Sequence, residues 1–201
     1  MIFPCAPAWP TVVLVAPPTV EPFTLDEAKL VAGVDWAAGD PREVLMRGWI
    51  AAARSKVEQD VSLPLLTQTL DLYVTATVGP TITLVRPPGR LQAVTWVQYT
   101  DSSGLAQVLD PALYRVDLAC GQITLTSGVL WPAITVRIVA GWETPEALQT
   151  AAPLLAHAVG LLIAHYTTLG RDLAVLAVGT LATMPQGYAD AIVSYQPVAI
   201  A

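Results

Sequence analysis

Apolar and polar residues follow three different rhythms along the chain, and each rhythm predicts a different kind of element. From Ile2 to Val20 nearly every residue is apolar, but Pro4, Pro7, Pro10, Pro17 and Pro18 forbid a regular helix. No positive residue precedes the apolar run, which argues against a secretory signal and for an extended arm over residues 1–23. Thr24-Leu25-Asp26-Glu27 then sets Glu three residues after a Thr N-cap, a capping box that predicts a short helix to about Val31, stopped by Gly33. Asp40-Pro41-Arg42-Glu43 repeats the start signal, with Pro at the first helical position. A longer helix to about Asp60 is expected. Leu45, Trp49, Ala52 and Val57 would be its apolar stripe, with Arg42, Arg47, Arg54, Lys56 and Glu58 around the rest. Residues 24–66 are therefore expected to be helical.

Beyond Thr67 the period shortens. Thr, Val, Leu, Ile and Tyr dominate in short runs separated by Pro and Gly, which predicts strands near 67–76, 81–85, 92–100, 105–109, 113–117, 121–126 and 134–140. Asp101-Ser102-Ser103-Gly104 has the composition of a hairpin loop, and Ala119-Cys120-Gly121 that of a tight turn. Short strands joined by short loops make an antiparallel sheet rather than βαβ units, so 67–141 is a β-rich insertion between helices. Thr144-Pro145-Glu146 opens a third helix with Gly170 as its C-cap; Pro153 either kinks it or marks its true start. The long helix and the apolar segment after it fill 142–183, and residues 173–183 are compatible with helix or extended chain. A last helix runs from Pro185 to about Tyr195, inside a C-terminal helix and tail over 184–201. The fold class is α+β: a helical core, an inserted antiparallel β-rich region and a C-terminal helix.

Composition adds one constraint. Apolar residues are 54% and charged residues 13%, against about 25% charged in an ordinary soluble domain. Such a chain collapses readily and has more apolar surface than a monomer hides, which points to subunit contacts or a membrane. Residues 147–170 hold no Asp, Glu, Lys or Arg and are long enough to span a bilayer, but Gln149, His157, His165 and Pro153 interrupt them and no basic cluster flanks them. Sixteen acidic against ten basic residues give a net charge of −6, with no two basic residues adjacent. A protein that grips nucleic acid through its phosphates needs a clustered basic face.

The residues that carry chemistry are sparse. His157 and His165 are about 80° and ~12 Å apart on one helix, too far to chelate a single ion. Cys5 and Cys120 form no CxxC, and no GxSxG, GxGxxG or GxxxxGK[ST] occurs. Asp101, Asp110 and Asp117 lie at turns, where Asp is favoured because its side chain bonds the backbone. No catalytic, cofactor-binding or metal site is expected, and the chain is not read as an enzyme. Trp49, Trp96 and Trp142 fit core positions. Trp9 and Trp131 sit in loop-like contexts suited to interface anchors, Trp131 fitting a core position equally well, and with Arg47 and Arg54 they form the candidate subunit or tail-side interface.

A series of short motifs then falls into a familiar order: Pro22-Phe23-Thr24-Leu25-Asp26-Glu27-Ala28-Lys29, Ile50-Ala51-Ala52-Ala53-Arg54 with Val57-Glu58, and Leu66-Thr67-Gln68-Thr69. Arg86-Pro87-Pro88, Val94, Val97, Tyr99 and Asp101 follow, then Tyr114-Arg115-Val116-Asp117 and Trp131-Pro132. Ala140-Gly141-Trp142, Pro145 with Leu148, His165-Tyr166 and Met184-Pro185 complete it. Over residues 20–195 the chain resembles the head–tail connector, or adaptor, family of tailed bacteriophages and phage-derived gene transfer agents. Two departures are a Trp at 142 where Tyr is common, and a single charged residue, Asp190, over 173–201.

The resemblance implies a structural virion protein: a ring of about twelve copies below the portal, closed by cyclic symmetry, joining head to tail and extending the DNA channel. Its implied partners are the portal protein, neighbouring adaptor subunits and a tail-side connector or stopper, with double-stranded DNA passing through without specific binding. Its implied location is the neck of a virion assembled in the host bacterial cytoplasm. A C-terminal portal contact is implied too, for which Met184, Pro185, Tyr188, Ile192, Tyr195, Val198 and Ile200 are the candidates. The alternative is a small membrane-associated protein using residues 147–183 as an apolar hairpin.

Overall fold

The computed structural model describes residues 11–75, 81–85, 89–101, 103–126, 133–171 and 184–196. In chain order the strands are β1 (Thr11–Ala16), β2 (Gln68–Thr75), β3 (Thr81–Thr83), β4 (Leu91–Thr100), β5 (Ala106–Val108), β6 (Tyr114–Asp117), β7 (Gln122–Leu125) and β8 (Ala133–Ala140). The helices are α1 (Leu25–Val31), α2 (Glu43–Val61), α3 (Pro145–Ala151), α4 (Pro153–Arg171) and α5 (Gln186–Ile192). All strands pair antiparallel, as the α+β expectation requires. The chain divides into a strand unit, Met1–Thr19 with Thr67–Trp142, and a helical unit, Val20–Leu66 with Glu143–Ala201.

The strand unit holds two sheets where one was expected. The larger has the order β1-β2-β8-β4-β5, and the smaller β3-β7-β6. Residues 11–16, expected as part of a separate arm, are extended but belong to the larger sheet, with Val12 opposite Leu72 and Leu14 opposite Leu70. In β8 the alternation is clean. Ile134, Val136, Ile138 and Ala140 are buried, while Thr135, Arg137 and Val139 on the other face are half-buried. On that second face the Arg137 guanidinium forks onto Asp71 at 2.7 and 2.8 Å and lies 4.8 Å over the Trp96 ring. Where the chain enters and leaves the insertion, the Thr67 N–H donates to the Trp142 carbonyl (3.0 Å), and the Gln92 amide donates to Thr67 Oγ1 and the Gly141 carbonyl.

The three turn aspartates act as local brackets. Asp101 Oδ1 accepts from the N–H groups of Ser103 and Leu105, closing the β4–β5 hairpin. Asp110 accepts from Ala112, and Asp117 from Cys120 in the β6–β7 turn. Each carboxylate satisfies donors that a tight turn leaves without a strand partner. Gly121 ends the last turn with φ +63°, and a Cβ there would lie 2.3 Å from the Val85 carbonyl oxygen. That close approach lets the N–H groups of Leu84 and Val85 reach the Gly121 carbonyl at 2.8 and 3.1 Å.

In the helical unit α1 starts on the full capping box. The Thr24 N–H donates to the Glu27 carboxylate (2.8 Å), and the Glu27 N–H donates to Thr24 Oγ1 (3.3 Å). α2 begins two residues later than its sequence signal, because Asp40 Oδ1 accepts from the Arg42 N–H and holds Pro41 and Arg42 in a preceding turn. Its buried face is Met46, Ile50, Ala53, Arg54, Val57 and Val61, not the stripe through Leu45 and Ala52, both of which are exposed. Pro153 starts a helix of its own: α3 ends at Ala151, and Ala152 breaks the run with φ −142°. Gly170 is not a C-cap but lies within α4, where a Cβ would sit 2.3 Å from Trp49 Cζ2. α4 packs on α1, α2, α3 and α5, burying Leu155, Ala158, Val159, Leu162, Ile163 and Thr167.

Candidate interaction surface

The C-terminal helix was the first candidate for a partner contact. Pro185 precedes α5, and a single 3-10 turn, Val193–Tyr195, follows it. Tyr188 and Ile192, expected to face the portal, are instead buried within the helical unit, where α5 packs on α4 and α2. The Tyr188 hydroxyl donates to Asp60 Oδ2 at 2.7 Å, and burial followed by that hydrogen bond pushes the phenol well above its usual range. The apolar face of α5 is thus consumed by its own chain. Met184 and Val193 are exposed, Pro185 and Tyr195 half-buried, and Val198 and Ile200 lie outside the described residues.

Arg54 is likewise not a surface residue. It is 6% exposed on α2, with Nε and Nη2 on the two oxygens of Glu21 (2.8 and 3.4 Å) and Nη1 on Glu58 Oε2 (2.6 Å). Desolvation would lower its pKa, but the two carboxylates outweigh that cost and hold the guanidinium above its ordinary value. Glu58 Oε1 also accepts from the Leu65 N–H, so the same carboxylate ties the chain after α2 to the ion pair. Arg54 therefore holds the helical unit together. Arg47 is exposed on α2, and Trp9 and Trp131 lie outside the described residues.

Other basic side chains are also spoken for. Lys29 is buried between Glu43 and the Trp36 carbonyl, its pKa raised by the hydrogen bond to Glu43. Arg42 pairs with Asp40 and Lys56 with Asp60. Together with Arg54 and Arg137, these side chains are neutralised by carboxylates of the same chain among the described residues. Cys120 is exposed in the β6–β7 turn, where a side-chain hydrogen bond with Asp117 raises its thiol pKa, the opposite of what activates a nucleophile. Among the described residues, no group of three or more His, Cys, Asp and Glu side chains is placed to hold a metal ion.

Exposed apolar side chains occur in both units: Leu30 on α1 and Val44 and Leu45 on α2 in the helical unit, and both edges of the larger sheet in the strand unit. In β1, Val12, Val13, Leu14 and Val15 are 54, 45, 51 and 43% exposed, although they are consecutive and project to both faces of the sheet. At the opposite edge Leu105 and Val108, flanking and ending β5, are 62 and 64% exposed. The signal for β1 was present in the sequence as an uninterrupted apolar run, but prolines on either side made it read as an arm.

No protein-family model matches the sequence, and no curated protein matches it. Solved structures do. A chain in the virion of a native gene transfer agent particle matches with a TM-score of 0.70 at 21% identity, over 94% of this chain and 97% of that one. A chain in the neck of an empty gene transfer agent particle, computed with C6 symmetry, matches with a TM-score of 0.67 at 22% identity, over 95% and 97%. A third, in the neck of a native particle computed with C12 symmetry, matches with a TM-score of 0.64 at 22% identity, over 94% and 97%. The chain shares the fold of these gene transfer agent chains. At this identity and coverage the likeness is one of architecture, and it spans both units of this chain.

The window Pro153–Gly170 in α4 is long and apolar enough to cross a membrane, with a mean hydropathy of 1.2. In this fold 44% of that window is buried inside the protein. The residues that would face lipid in a hairpin, Leu155, Val159, Leu162 and Ile163, are those that α4 turns inward.

Proposed function

We propose that this chain is a structural virion protein: an adaptor ring subunit that sits below the portal, joins head to tail and extends the channel through which DNA leaves. The observation that carries this is the fold shared end to end with chains of gene transfer agent necks, together with the ordered motifs over residues 20–195. Those necks were computed with sixfold and twelvefold symmetry, which supports a ring of about twelve copies here. The electrostatics fit a channel wall. A net charge of −6 per copy, with Lys29, Arg42, Arg54, Lys56 and Arg137 already paired to carboxylates of their own chain, gives phosphates little to hold. DNA would slide past rather than bind. The partners are neighbouring copies, the portal protein above and a connector or stopper on the tail side, and the role requires no catalysis.

The portal contact needs revision within this proposal. With Tyr188 and Ile192 turned inward, a C-terminal contact falls to Met184, Val193 and the residues beyond Gln196. Deleting everything after Thr183 would remove α5 and uncover the α4 core, so loss of partner binding in that truncation would not identify an anchor. Val193→Asp is the sharper variant.

The test is to delete the gene in a producing strain and image the particles. DNA-filled heads without tails, restored by the gene in trans, are expected, with the protein found at the neck by labelled-antibody microscopy. Normal tailed particles from the deletion strain would refute the role.

A further inference from the structure

We infer that β1 of one copy pairs with β5 of the next, head to tail, so that the larger sheet continues from subunit to subunit. This rests on the ring reading above. A run such as Val12-Val13-Leu14-Val15 is the composition of a strand covered on both faces. Solitary edge strands are normally protected by a charge, a proline or a covering loop, because an open row of N–H and C=O groups recruits any passing strand. β1 carries no charge or proline between Thr11 and Ala16, every one of its residues is exposed, and its register is regular from Thr11 to Leu14, shifting only before Ala16. Among the described residues no strand pairs with the outer edge of β1, so that edge is open to a further strand.

The same sheet supplies one. Its other edge, β5, is short, Ala106–Val108, but Leu105 to Val108 carry no charge and all four are exposed. The sheet has five strands, each antiparallel to its neighbour, so β1 and β5 run in the same direction. Setting β5 of one copy beside β1 of the next extends the sheet with a parallel pair and uses each edge once per copy. That contact is heterologous and closes into a ring when the rotation permits. A two-fold pairing of β1 with β1 would instead bury one edge, leave β5 open on both copies and stop at a dimer.

The test uses the full chain with Cys5→Ser and Cys120→Ser, alone at high concentration and in cells making whole particles. Val13→Cys and Val108→Cys are introduced singly and together, and a short bis-maleimide, which tolerates an offset of one residue, links neighbouring thiols. The double variant should give a ladder of covalent multimers and each single variant none. Adding Leu14→Lys should cut the linked yield at least tenfold while the circular dichroism spectrum stays that of the parent. Dimers from Val13→Cys alone would overturn the head-to-tail pairing. Rings visible by microscopy without links would overturn it while leaving the adaptor reading intact. Neither rings nor links in particle-producing cells would overturn both.

Discussion

Replacing Arg54 with Met separates a structural cation from an interface cation. Met keeps the length and much of the apolar stem, so packing on α2 is conserved while three charge-assisted hydrogen bonds vanish. What remains is Glu58, largely buried, beside Glu21, whose side chain is 32% exposed. Removing one partner of a buried ion pair costs about 3–5 kcal/mol, chiefly because the other charge is left uncompensated. Glu21 can turn toward water, which places the loss at the lower end, about 3 kcal/mol. Arg54→Met with Glu58→Gln should recover about 1 kcal/mol or more, because Gln keeps an acceptor for the Leu65 N–H while removing one stranded charge. Urea unfolding followed by circular dichroism measures both differences. If Arg54→Met unfolds within about 0.5 kcal/mol of the parent yet fails to form rings, Arg54 belongs to a subunit interface after all and the burial argument is wrong.

Gly104→Ala and Gly121→Ala both force a left-handed residue, at φ +83° and +63°, but only the second also drives a Cβ against the Val85 carbonyl. Losses of about 1 kcal/mol for Gly104→Ala and about 2–4 kcal/mol for Gly121→Ala are expected in urea unfolding; equal losses would refute the close-approach argument. Tyr188→Phe removes a buried hydroxyl from a carboxylate that keeps Lys56, so it should cost about 1–2 kcal/mol in thermal unfolding and leave particle assembly intact. Failed assembly with unchanged stability would return Tyr188 to the partner surface. The Asp101 carboxyl, held down to about 2 by hydrogen bonds from the Ser103 hydroxyl and the Leu105 N–H, should titrate there by NMR. Because the folded value lies below the unfolded one, the β4–β5 turn is supported fully above about pH 4 and loses that support as the pH falls toward 2. A midpoint near 4 would show that the turn does not hold the carboxylate.

Local chemistry made much of this protein legible from its residues alone. The capping box at Thr24 and Glu27, the N-cap at Thr144 and the aspartates at 101, 110 and 117 act over two to four positions, so their partners are written beside them in the chain. The strand runs of the insertion are legible for the same reason, since a period of two and flanking turn residues are local facts. The inward face of α2 was not. Leu45, Met46, Trp49 and Ile50 place apolar residues on adjoining faces, and one residue is a rotation of about 100°, so periodicity could not choose between them. Packing against α4 chose Met46 and Ile50. Arg54 reads as a surface cation until Glu21, 33 residues earlier, closes on it. Tyr188 reads as a free anchor until Asp60, 128 residues earlier, accepts a hydrogen bond from its hydroxyl. β1 joins a sheet whose next strand begins at Gln68. Pairings at such separations are selected by which surfaces bury together, and burial is a property of the folded chain rather than of any window along it.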